Sequence, residues 1–105
     1  MKSLIDQQRN YFNTNATKPL SFRKQQLIKL RSLINEYEPA LTAAVFKDFQ
    51  KGTFNTVLTE FSSTRMDLNK AIKKLGKWAK IKRVGTNMVN FPGSSYIFPE
   101  PLGVC

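Results

Sequence analysis

The sequence predicts a mainly helical fold of about four helices, followed by a β-hairpin and the opening of a further strand. Three observations predict it. From Ser21 to Ala79, apolar residues recur at three- and four-residue steps, the period of helices with one buried side. After Lys80 the pattern shortens to β-favouring pieces around Pro92-Gly93. The last residues, Leu102-Gly103-Val104-Cys105, form an apolar run behind Pro99-Glu100-Pro101, whereas natural domains usually end in polar, frayed residues. That run reads as an incomplete strand awaiting a neighbour, so the chain is expected to be the front of something larger.

Each element has its own signal. Ser3 followed by Asp6 resembles a capping box, opening a first helix to about Phe12 with Leu4, Ile5, Tyr11 and Phe12 on one side. Asn13 to Pro19 is a polar loop. A second helix spans about Ser21 to Tyr37, its stripe made by Phe22, Leu27, Leu30, Ile34 and Tyr37. Proline suits the first turn of a helix, so Pro39 is expected to open a third, reaching about Gln50 and stopped by Gly52. The fourth and longest runs from about Asn55 to Ala79, with Ser62-Ser63-Thr64 a weak middle that could bend. Asn87 to Phe91 and Ser95 to Phe98 then read as hairpin strands, with Pro92 and Gly93 at the second and third turn positions.

Composition bounds the chemistry. The chain has 105 residues, one domain or part of one, and its eight Phe, three Tyr and one Trp ask to be buried. It contains no run of about 18 apolar residues, and Ser3 to Asn15 lacks a secretory apolar region. A single Cys fits a reducing compartment, so a cytoplasmic protein is expected. There is no His, the commonest general base and metal ligand. The seven carboxylates are scattered and the five Gly stand singly, so no metal cluster and no phosphate loop is indicated. As a self-contained enzyme the chain is poorly equipped. Its net charge of +10 permits nucleic acid, an anionic membrane surface or an acidic partner, and equally a segment whose acidic complement lies elsewhere.

Few residues invite a functional reading. Lys70, Lys73, Lys74, Lys77, Lys80, Lys82 and Arg83 make a basic face opposite Leu68, Ile72, Leu75 and Trp78. Such a face can neutralise phosphates or lie on anionic lipid, but no nucleic-acid module accompanies it, and a solvated helix face is the plainer reading. Cys105 has apolar neighbours and no activating His, which suits a small strand residue better than a nucleophile. Trp78 falls on the apolar side and is expected in the core. Gly103 is a lone glycine, weak as a dinucleotide turn, and Glu60 is expected to be a surface carboxylate.

In combination these pieces resemble the N-terminal segment of an NAD(P)-dependent aldehyde dehydrogenase, closest to the class 3 or fatty aldehyde dehydrogenase branch. The resemblance rests on Gln8-Arg9 with Tyr11-Phe12, Lys18-Pro19-Leu20 with Phe22-Arg23, and Gln26-Leu27 with Leu30 and Ile34. Asp48, Lys51, Phe54, Thr59-Glu60 and Trp78 continue it, and Pro99-Glu100-Pro101-Leu102-Gly103-Val104 closes it. It covers nearly the whole chain.

The resemblance implies a helical segment over residues 1–80 and, over 81–105, a hairpin with the start of a Rossmann-type cofactor sheet. It implies a parent that oxidises aldehydes to carboxylic acids through a thiolate adduct and hydride transfer to NAD or NADP, commonly as a homodimer. The family's asparagine, cofactor glycines, general-base glutamate and nucleophilic cysteine have no counterpart here: Cys105, Glu60 and Glu100 do not match them. No catalytic, cofactor-binding or metal residue is therefore expected in the chain, and its role is scaffold. Membrane anchoring, where the branch has it, belongs to the other end of the protein. From a different class, the competing reading is a small basic module binding nucleic acid or an acidic partner.

Overall fold

The computed structural model describes residues 1–104, which include a first helix α1 (Lys2–Asn13), a second, α2 (Leu20–Phe49), and a third that is built in three pieces. Those pieces are α3 (Thr53–Thr56), a π-helical turn (Val57–Phe61) and α4 (Ser62–Trp78), running on without a break. A two-stranded antiparallel sheet follows, β1 (Lys82–Val84) and β2 (Ser95–Ile97), with a short 3-10 turn at Met88–Asn90 between them. The described residues thus form three helices where about four were expected. It divides into two compact units, Met1–Phe22 with the stretch from Leu75 onward, and Arg23–Lys74.

The missing break is at Pro39, which lies inside α2 rather than opening a helix. An interior proline removes one backbone hydrogen bond and crowds the carbonyl four residues earlier, at a cost of about 3 kcal/mol. Here the flanking side chains are held from outside. Arg65 on α4 donates through Nε to Asn35 Oδ1 at 2.8 Å and through its second terminal nitrogen to Glu38 Oε2. Arg31 likewise donates to Asn69 Oδ1 at 2.6 Å. Ascending numbers on α2 meet descending numbers on α4, so the two helices lie antiparallel, stitched over the two turns that precede the proline. Tertiary cross-links override the local break.

The π turn has an equally local origin. The Ser62 N–H reaches back five residues to the Val57 carbonyl, and the Ser62 hydroxyl donates to the same oxygen at 3.0 Å. Ser63 Oγ donates to Thr59 O at 2.7 Å, Thr64 Oγ1 to Glu60 O at 2.6 Å and Thr59 Oγ1 to Asn55 O at 2.7 Å. Widening a helical turn strands carbonyls, and this hydroxyl-rich stretch supplies donors to them. Ser62-Ser63-Thr64, read as the weak middle, are themselves α-helical, and the irregular turn lies just before them at Val57–Phe61. Around it lie the buried side chains of the Arg23–Lys74 unit: Phe61, Leu68, Thr42 and Thr56.

Three capping and turn expectations are corrected. The N-cap of α1 is Met1, without a side-chain bond, so the capping box does not form; Asp6 lies inside the helix, where it pairs with Arg9 at 3.4 Å. Gln50, not Gly52, takes the left-handed conformation that ends α2 (φ 57), and its N–H bonds Phe46 O at 2.7 Å. Gly52 instead is the extended N-cap of α3. In the other unit, β2 pairs with Lys82–Val84 in the register Lys82 to Ile97, Arg83 to Tyr96 and Val84 to Ser95. Asn87–Phe91, expected as the first strand, is a 3-10 turn capped by the Asn87 side chain, which accepts from Asn90 N–H. Gly93 N–H closes a four-residue turn onto Asn90 O at 2.7 Å, with Pro92 third in it and the Phe91–Pro92 peptide cis. A self-capping asparagine outcompetes the alternation that suggested a strand. Residues 101–104 form no strand, and the expectation for Cys105 lies outside the described residues.

Candidate functional site

Two polar nodes organise the Arg23–Lys74 unit. At the first, Arg65 joins Asn35 and Glu38, and its guanidinium stands 6.0 Å from the centre of the Phe61 ring. Glu38, Asn35 and Pro39 also line an open cleft of about 600 Å³, completed by Thr42, Ala43, Phe46, Thr53 and Val57. At the second, Lys51 Nζ donates to Glu60 Oε1 and to Thr59 Oγ1, both at 2.8 Å. This node clasps the π turn to the loop before α3 and borders a cleft of about 610 Å³ with Val45 and Phe49.

Neither node assembles catalytic chemistry. A nucleophile needs a base in reach that is free to take its proton. Glu60 and Glu38 each face a cation, and Lys51 is held by a carboxylate and a hydroxyl. Among the described residues no group of three or more His, Cys, Asp or Glu lies close enough to hold a metal ion. A dinucleotide pyrophosphate needs glycines massed at a helix opening. Here Gly52, Gly76 and Gly85 stand apart in open space, Gly93 closes the hairpin turn, and Gly103 alone has a left-handed φ of 130°. These residues do not fit a nicotinamide cofactor, so no step of a reaction is assigned to them.

The residues singled out from the sequence are dispersed. Glu60 is a surface carboxylate as expected, 57% exposed, but it is committed to Lys51. Trp78 is not in the core: it is 50% exposed at the end of α4, because the buried stripe through Leu68 passes one side of it. Lys70, Lys73, Lys74, Lys77, Lys80, Lys82 and Arg83 are all exposed. In the unit containing both termini, Lys18 Nζ pairs with Glu100 Oε1 at 2.6 Å, joining the loop after α1 to the proline segment. Sequence reasoning missed Arg65 and Lys51 as organising cations. The usable signal for Arg65 was a proline inside an unbroken apolar periodicity, which demands outside support.

No protein-family model matches the chain. Individual proteins do. It is 41% identical over 93 residues to the 4,4'-diaponeurosporen-aldehyde dehydrogenase of Staphylococcus aureus, covering 89% of this chain and 20% of that protein. It is 37% identical over 101 residues to aldehyde dehydrogenase family 3 member I1 of Arabidopsis thaliana, covering 96% and 18%. With the dimeric NADP-preferring aldehyde dehydrogenase of Canis lupus familiaris it shares 35% over 104 residues, 99% and 23%. A solved structure of Staphylococcus aureus AldH in its substrate-bound state superposes with a TM-score of 0.86 at 39% identity, over 90% of this chain and 20% of that one. The chain spans about a fifth of the length of the relatives it matches. No helix in the described residues is long and apolar enough to cross a membrane. Nothing in these likenesses supports a nucleic-acid-binding module. In sequence and in fold, nearly the whole of this chain matches the N-terminal segment of class 3 aldehyde dehydrogenases.

Proposed function

We propose that the chain serves as the N-terminal scaffold of an enzyme that oxidises aldehydes to carboxylic acids with NAD or NADP. The observation that carries this reading is the joint likeness of sequence and backbone to Staphylococcus aureus AldH, 39% identity at a TM-score of 0.86. The commitment of Glu38, Glu60 and Lys51 to partners of their own supports reading this segment as scaffold rather than chemistry. Residues 1–80 act as helical cladding, and residues 81–105 lead into the cofactor-binding sheet. Side chains such as Leu30, Leu33, Phe49 and Phe54, now exposed, are then the ones that pack against the body of the subunit. A homodimeric, cytoplasmic enzyme is the accompanying expectation, on family grounds.

Complementation tests it. The Staphylococcus aureus relative is produced without the fifth of its chain that this segment matches, and NAD(P) reduction with an aldehyde is followed. The chain alone gives no turnover, the shortened relative little, and their mixture or fusion restores activity. If fusion yields a soluble protein with no gain in turnover, the scaffold assignment is wrong.

A further inference from the structure

On α4 the side away from the buried Leu68 carries Met66, Lys70, Lys73, Lys74 and Lys77, all exposed, with Trp78 at its end. Met66, Lys70, Lys74 and Trp78 follow one another at four-residue steps, so they form one ridge, with Lys73 and Lys77 beside it. Met66 is 71% and Trp78 50% exposed. Among the described residues none of these lysines makes an ion pair, and the one carboxylate at the margin is Asp67. Four cations without an ion pair therefore occupy about two turns of helix, with an apolar side chain beyond each end.

We infer that this face of α4 is a peripheral docking surface for an anionic lipid bilayer. Lysine ammonium groups are compact point charges on flexible stems, matched to a diffuse anionic surface rather than to a planar acceptor. Reading of base edges or phosphates in a fixed geometry favours the guanidinium fork, and this face has no arginine. The indole of Trp78 and the thioether of Met66 suit the boundary between headgroup and acyl chain, while the lysines stay in the headgroup layer. The inference is independent of the aldehyde dehydrogenase reading.

The test uses the 105-residue chain and Trp78, its one tryptophan, as a native reporter. Vesicles containing phosphatidylglycerol are expected to bind the chain, shift Trp78 emission to the blue and quench it when the acyl chains are brominated. Vesicles of phosphatidylcholine alone should not. The Lys70→Gln, Lys73→Gln, Lys74→Gln, Lys77→Gln variant should lose roughly a hundredfold or more in partitioning, about fivefold per lysine. A variant with Lys2, Lys24, Lys29 and Lys47 changed to Gln has the same net charge and should lose less than about tenfold. Equal losses in the two variants would overturn the proposal. So would binding with no Trp78 blue shift, or tighter binding to single-stranded nucleic acid than to vesicles at matched phosphate. Should the quadruple variant fail to fold by circular dichroism, bromine quenching of the unaltered chain decides: no quenching of Trp78 refutes the docking face.

Discussion

Replacing Arg65 by Ala removes the clamp that holds the turn of α2 leading into Pro39. Three contacts go at once: the bond from Nε to Asn35 Oδ1 at 2.8 Å, the ion pair with Glu38, and the approach to the Phe61 ring at 6.0 Å. A hydrogen bond to a charged group is worth about 1.5–3 kcal/mol when sheltered. Arg65 and Glu38 side chains retain 30% and 23% of their exposure, so solvent screening brings the pair towards the low end. The ring contact adds about 0.5 kcal/mol. The expected local loss is about 2 kcal/mol, or roughly thirtyfold in an opening equilibrium. Amide hydrogen exchange reads it directly: peptides spanning 35–46 should exchange about that much faster, and those of α1 should not change. Arg65→Lys keeps the charge but not the fork, and is expected to lose about half as much. Exchange in α2 within twofold of the parent would show that the proline is tolerated for some other reason.

Other substitutions probe separate local claims. Gly93→Ala places a Cβ 2.6 Å from Asn90 O, so the hairpin turn must open; exchange at Ser95–Ile97 is expected to rise as the β1–β2 pairing loses roughly 2 kcal/mol. Gln50→Gly relieves a left-handed φ of 57 and should stabilise the end of α2 by about 0.5–1 kcal/mol, seen as slower exchange at Phe46–Phe49. Thr56 is fully buried with its hydroxyl unpartnered, so Thr56→Val, of the same shape, should stabilise the α3 region by about 1 kcal/mol. Slower exchange around Thr53–Phe61 checks it, and faster exchange would mean that the hydroxyl has a partner.

What could be read from the sequence follows the reach of each interaction. Apolar periodicity marked α1, α2 and the long third helix because burial of one face repeats at every turn. Family resemblance was legible from the order of short elements such as Lys18-Pro19-Leu20 and Pro99-Glu100-Pro101, which no single one carried. The junctions were not legible. Whether Pro39 breaks a helix depends on Arg65, twenty-six residues away in sequence. Whether Gln50 or Gly52 ends α2 depends on which residue the next helix needs as its cap. The hairpin was shifted because strand pairing is non-local, while the Asn87 cap is a local competitor that alternation does not register. Trp78 was misplaced for a related reason: a helical stripe is broad on paper, and only the neighbouring helix decides which edge of it is covered.

The balance between buried and exposed apolar groups gives the last prediction. Among the described residues only Phe61 and Leu68 are buried apolar side chains, contributing about 3–6 kcal/mol together. Half-buried residues add to that, but ordering each residue costs about 1–2 kcal/mol of backbone entropy, and helix propensity offsets little of it. Meanwhile Phe49 and Phe54 are each 77% exposed and Phe91 82%. A chain so balanced retains helix by local hydrogen bonding and cross-links such as Arg65 to Glu38, while its side-chain packing stays loose. The isolated chain should therefore show helical circular dichroism, a broad thermal transition and strong binding of a hydrophobic dye. Fusion to the shortened relative should sharpen the transition and suppress the dye signal, because the same exposed faces become covered. A sharp, two-state transition with no dye binding in the isolated chain would mean that these side chains already have the partners they need, and the cladding argument would fail on its own physics.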